Sequence, residues 1–224
     1  MRFIRTGNLA LFTRGIGIVA FLFLAAGTAG IAFGSEYITP PKLTRILESG
    51  NMDAIHQALN DVKRQRRKDE IIPFIVDLWR MDHEKRPDLP WDTIKETPVR
   101  LELAHILVQS VHNGYVDMDL APMHALARSE AVNGTPRDIV TAMMVLLTIN
   151  DPEDIPLLKE IALEEHPITF RMSVIAIVEM CDDEPREVAL TEIAASIRDS
   201  ENLQFLKDYR DDATRIRRAR CFRQ

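Results

Sequence analysis

Residues 135–200 read TPRDIVTAMMVLLTIND from Thr135, PEDIPLLKEIALEE from Pro152, PITFRMSVIAIVEMCDD from Pro167 and PREVALTEIAASIRDS from Pro185. Each block is short, begins with a capping residue or proline, and carries one apolar face at helical spacing. Proline is cheap there, because the first N–H groups of a helix have no partner inside it. The gaps between blocks are only a few residues, so consecutive helices must turn back on one another. Four capped amphipathic segments in this arrangement predict two antiparallel helix pairs lying side by side.

The same punctuation extends toward the N-terminus. Thr97-Pro98 predicts the start of a helix over VRLELAHILVQSVH, and Asn113-Gly114 its end; Asn133-Gly134 repeats that stop. Glycine just past the last turn is the usual way to reach the left-handed cap. Leu43, Ile46 and Leu47 mark a short helix ending at Gly50, and Asn51 or Asp53 can cap the next, which carries Ile55, Leu59 and Val62. Asp69 is placed to cap EIIPFIVDLWRM. Residues 83–96, HEKRPDLPWDTIKE, form the longest irregular connection, with Trp91 expected to pin it to the body. The last helix begins near Ser200, carries Leu203, Leu206 and Tyr209, and ends in a basic turn.

An internal period emerges from these segments. Asp69 precedes Ile72-Pro73-Phe74-Ile75, Asp119 precedes Leu120-Ala121-Pro122-Met123, Asp151 precedes Ile155-Pro156-Leu157-Leu158, and Val188-Ala189-Leu190 follows the pattern with alanine for proline. The spacings are 49, 34 and 33 residues, and the intervening helices carry Arg100, Arg137 and Arg171 near their starts. Prolines one turn into a helix should bend each unit at the same place. Helices that cannot bury an apolar face alone bury it by stacking neighbouring units.

At these residues, over 69–198, the chain resembles the HEAT-repeat family, especially its short bacterial HEAT-like members. The resemblance implies an all-α fold of stacked antiparallel helix pairs, an α-solenoid whose second helices line a concave protein-binding surface. The chain departs from the family where the first spacing is long by half a unit, and where Met143, Met144 and Met180 replace an alanine-rich pattern. Nothing matches a bilin-lyase motif of that group residue by residue.

The first 34 residues have a different composition. They hold Arg2, Arg5 and Arg14, no acid, and six of the nine glycines, and residues 15–34 contain no charge. A basic start, an apolar run and Ala32-Phe33-Gly34 before Ser35 form an export signal with a cleavage site. The competing reading is an uncleaved membrane anchor, since about 20 apolar residues span a bilayer. Both readings place the body outside the cytoplasm, most simply in a periplasm. The domain plan is therefore 1–34 signal peptide or anchor, 35–41 (SEYITPP) linker, and 42–224 helical-repeat domain. Without residues 1–34 the chain holds 25 basic and 34 acidic residues, a net −9 that disfavours nucleic acid as a partner.

The search for chemistry is short. No H-E-x-x-H, G-x-S-x-G, phosphate-loop or dinucleotide fingerprint occurs, and the reading assigns no catalytic, metal or cofactor residue. His105 and His112 share a helix face about 10 Å apart, too far for one ion. Glu102, one turn from His105, could orient that ring, which is the basis of a lesser enzyme or accessory-factor reading. The run Lys63, Arg64, Gln65, Arg66, Arg67, Lys68, together with Arg215, Arg217 and Arg218, fits a solvated helix end or a contact with an anionic partner such as lipid headgroups. Cys181 and Cys221 are an even pair that an oxidising compartment could join, or one buried and one exposed thiol. The expected function is an exported scaffold that binds a protein or peptide and does no catalysis. The alternative is a membrane-anchored envelope protein, held by residues 15–34, that contacts anionic headgroups.

Overall fold

A computed structural model describes residues 37–221 apart from 165, 181 and 182; the side chains of residue 183 and of residues 211–221 lie outside the description. All of its regular structure is helical: α1 Pro40–Glu48, α2 Met52–Arg64, α3 Ile71–Arg80, α4 Trp91–Ile94, α5 Thr97–His112, α6 Ala121–Asn133, α7 Pro136–Ile149, a 3-10 turn Pro152–Asp154, α8 Ile155–Leu163, α9 Pro167–Glu179, α10 Asp183–Ser196 and α11 Ser200–Cys221. The described residues contain no strand.

Local chemistry accounts for most boundaries. Asn51 caps α2 by accepting from the Ala54 N–H at 3.2 Å. Thr135 and Asp138 form a reciprocal capping box at the start of α7. Gly50 and Gly114 take the left-handed conformation, with φ of +62° and +73°. Gly134 does not. Its backbone is extended, and glycine is required because a Cβ there would meet the Glu130 carbonyl oxygen at 2.5 Å and the Asp138 Cβ at 2.9 Å. The two Asn-Gly stops therefore work differently: one by torsion, the other by close approach.

Three further expectations need correction. Residues 40 and 41 are the first turn of α1 rather than linker, and Ile38 before them is buried, its N–H donating to Gln65 Oε1 at 3.1 Å. Asp69 does not cap α3; Glu70 occupies the N-cap position without a side-chain bond. The repeated prolines start helices rather than bend them. Pro73, Pro122 and Pro156 all sit in first turns, and before Pro156 the chain spends Pro152–Asp154 in a separate 3-10 turn. A first-turn proline breaks no internal hydrogen bond, so nothing forces a kink.

Packing follows a simple neighbour rule. α6 packs on α7 and α8 on α9, as pairs joined by short turns. Across pairs, α5 packs on α7, α7 on α9 and α9 on α11, while α6 touches α8 and α8 touches α10. Hydrogen bonds repeat at a separation near one unit: His124 to Asp154, Arg171 to Glu201 and Tyr209 to Glu179 are each 30 residues apart, and Lys159 to Glu192 is 33. At the N-terminal end the pattern is thicker. α2, α3, α4, α6 and α7 all pack on α5, so residues 101–108 are buried on every side. An open face lined by second helices is absent at α5 for that reason.

The 83–96 segment is fastened to the body. Trp91 donates through Nε1–H to the Arg86 carbonyl at 3.1 Å and lies against the His83 ring at 4.5 Å. Asp77 on α3 accepts from Lys85 at 2.8 Å and Arg86 at 3.1 Å. Burial works to raise the Asp77 carboxyl, but these two cations outweigh it and hold the group below its usual range. Arg100 closes α3 from α5, stacking over Trp79 at 3.7 Å and donating to the Trp79 carbonyl at 2.7 Å.

Candidate functional site

The most concentrated ionic chemistry lies between α2 and α5. Val62 points into the core, and the next residue, Lys63, is carried toward α5, where its Nζ lies 2.7 Å from Glu102 Oε2. On the other side of the carboxylate, His56 Nδ1 is 3.5 Å from Glu102 Oε1, longer than an ordinary hydrogen bond. Burial alone would raise the Glu102 pKa. His56 and the Lys63 charge reverse that and hold it at about 2, so Glu102 is ionised.

His105 takes a different place from the one its spacing suggests. Its Nδ1 faces Lys63 Nζ at 3.5 Å, and its Nε2 faces the Gln109 amide at 2.9 Å. Lys63 thus stands between Glu102 and His105, and Glu102 orients Lys63 rather than the ring. Lys63 Nζ and the Gln109 amide nitrogen are both donors, so the ring meets a donor at each nitrogen, an arrangement that disfavours the doubly protonated imidazolium. Burial and the neighbouring Lys63 charge depress the His105 pKa to about 4, leaving the ring neutral at physiological pH. An inward-facing neutral ring enclosed between an ammonium and an amide nitrogen faces protein groups on both sides. The geometry is that of a buried structural network.

The basic run divides. Lys63 belongs to this network, and Lys68 is buried, donating to the Lys63 carbonyl at 3.1 Å with Tyr115 against it at 5.8 Å; burial lowers its pKa. Arg64, Arg66 and Arg67 are exposed. So two of five cations serve the interior and three face solvent. Arg215, Arg217 and Arg218 lie on α11, but their side chains are outside the described residues. Cys181 and the side chain of Cys221 are outside them too, as are residues 15–34. No helix among the described residues is long and apolar enough to cross a membrane.

A second cluster escaped the reading of the sequence. Asp154, fully buried at the end of the 3-10 turn, accepts from His124 Nε2 at 2.8 Å and from Arg128 at 2.7 Å, both on α6. His124 Nδ1 faces Asp151 at 3.9 Å. Burial pushes the Asp154 carboxyl above its ordinary value against the opposing pull of the His124 hydrogen bond and the Arg128 charge. The sequence signal was faint: an acid three residues past the Asp151 cap, and a histidine two past Pro122. Only the unit period pairs them.

The described surface also contains a depression of about 280 Å³ between α8 and α10, lined by Pro152, Pro156, Pro185, Val188 and Ala189 and bordered by the Lys159–Glu192 pair at 2.7 Å. Val188 is 53% exposed on its rim. Among the described residues, no group of three or more His, Cys, Asp or Glu side chains converges as a metal site. The chain defines an all-α protein with packed neighbouring helices. No family model, curated protein or solved structure matches it.

Proposed function

We propose that this chain is an extracytoplasmic helical-repeat scaffold, an α-solenoid of the HEAT-like kind, that binds a protein or peptide partner and has no catalysis of its own. The observation that carries the reading is the recurrence of inter-helix hydrogen bonds at a separation of 30 to 33 residues, along α6 to α11. Contacts repeated once per unit are what stacked hairpins produce, and stacked hairpins present extended surfaces. The docking surface in this reading is the α8–α10 depression rather than α5, whose residues 101–108 are buried. Its prolines form an apolar floor, and Val188 and the Lys159–Glu192 pair stand at the rim, a mixed composition suited to a small recognition site.

Affinity capture from an envelope fraction, followed by binding measurements with the purified partner, tests the reading. Val188→Glu places a charge at that rim, where a docked partner would cover it, and should weaken binding at least about tenfold, the cost of burying an unpaired charge in an apolar contact. Val132→Glu, at the exposed end of α6, should leave binding unchanged. Equal binding by both variants, or no partner recovered under any condition, removes the proposal.

A further inference from the structure

We infer that Arg64, Arg66 and Arg67, flanked by Tyr37 and Tyr115, form a surface that rests on the headgroups of an anionic lipid membrane. The inference is independent of the partner reading above.

Arg64, Arg66 and Arg67 are exposed and make no ion pair or side-chain hydrogen bond among the described residues. Most cations of this body are matched: Lys63 with Glu102, Lys85 and Arg86 with Asp77, Arg128 with Asp154, Lys159 with Glu192, Arg171 with Glu201. Three unmatched guanidinium groups within four residues therefore stand out in a chain of net charge −6. Arginine forks bind phosphate oxygens in two-pronged fashion, which suits phospholipid headgroups.

Two further observations select lipid over an acidic polypeptide. The first is where the chain reaches the body. Ile38, four residues past Gly34, donates its N–H to Gln65 Oε1 at 3.1 Å, and Gln65 lies between Arg64 and Arg66 in the run. The uncharged sequence of residues 15–34 thus leads, after a four-residue step, to a point fixed within the basic run. Basic residues that hold the point where the chain enters the body, after an uncharged apolar stretch of sequence, suit anionic headgroups.

The second observation is aromatic. Of the chain's three tyrosines, Tyr37 (43% exposed) immediately precedes that fixed point, and Tyr115 (50% exposed) lies against Lys68. The third, Tyr209, is only partly exposed and is bonded to Glu179. Exposed tyrosines beside basic residues are typical of protein surfaces at a headgroup layer. Asp69 and Glu70 follow the run as exposed acids at the start of α3, and Asp61 precedes it, bonded to Gln57. These acids moderate the charge of the patch without occupying the arginines.

The test is limited trypsin digestion of the full chain in vesicles of neutral phosphatidylcholine, and in vesicles with a quarter phosphatidylglycerol. Three arginines near an anionic surface favour the docked state by a factor on the order of a hundred. Cleavage after Arg64, Arg66 and Arg67 should therefore slow at least about tenfold on the anionic vesicles, relative to Arg198 in the exposed α10–α11 connection. In about 1 M NaCl, where the Debye length falls to about 3 Å, the protection should vanish. Equal cleavage on both vesicles overturns the inference. So does protection by free polyglutamate on neutral vesicles without protection by anionic lipid, which would assign the arginines to an acidic polypeptide.

Discussion

Replacing His105 with glutamine should flatten the upper part of the acid-stability profile and leave the lower part in place. His105 is buried, and its pKa is lowered from 6.5 to about 4. In the unfolded chain the ring takes up a proton near the ordinary value; in the folded chain it refuses one until about pH 4. Between those values the unfolded state binds more protons, so acid favours unfolding. The slope approaches about 1.4 kcal/mol per pH unit, a loss of about 2 kcal/mol by pH 5 and about 3 kcal/mol by pH 4. Below the folded pKa both states are protonated and this loss stops growing.

Glu102 acts in a lower window. Its pKa falls from 4.5 to about 2, so its stabilisation is complete above about pH 4.5 and is lost as pH falls toward 2, again on the order of 3 kcal/mol. His105→Gln keeps an acceptor for Lys63 and removes only the ring's titration. Thermal unfolding followed by circular dichroism from about pH 7 to pH 3 reads the His105 window in full and the upper part of the Glu102 window. For a body of this size about 3 kcal/mol corresponds to roughly 6–12 °C. The melting temperatures of parent and variant should therefore converge by that amount between neutral pH and pH 4, with parallel curves below. Parallel curves across the whole range would mean that His105 is not held neutral, and the reasoning about Lys63 between Glu102 and His105 would fail.

Gly134→Ala places a methyl 2.5 Å from the Glu130 carbonyl oxygen and should cost about 1–3 kcal/mol in chemical denaturation, although its φ of −73° is open to alanine; an unchanged stability would refute the close-approach reading. Phe170→Ala, at a fully buried position in α9 beside Phe205, should cost about 3–5 kcal/mol by the same assay. A double-mutant cycle of His124→Asn and Asp154→Asn should show a coupling of about 1 kcal/mol or more, because both rest on one bond across neighbouring units; additive effects would break the link between those units.

Helix positions were legible because their signals are local. Thr135 and Asp138, Asn51 and Ala54, and the prolines at residues 98, 136 and 167 act within one turn of the boundary they mark. The fate of charged residues is decided elsewhere. Lys63 and Arg64 are neighbours in an apparently uniform basic run, yet one faces Glu102 and the other faces solvent. A helix turns about 100° per residue, so adjacent side chains part company, and which of them meets a carboxylate depends on a helix that begins 33 residues beyond Arg64. His124 and Asp154 make the same point at a separation of 30 residues. Spacing along α5 put Glu102 beside His105 correctly, but it could not show a lysine from α2 entering between them. The period carries the missing information: once units near 33 residues are stacked, an acid in one first turn and a base in the preceding one become contact candidates, and Asp154 with His124 is the pair such a search would return first.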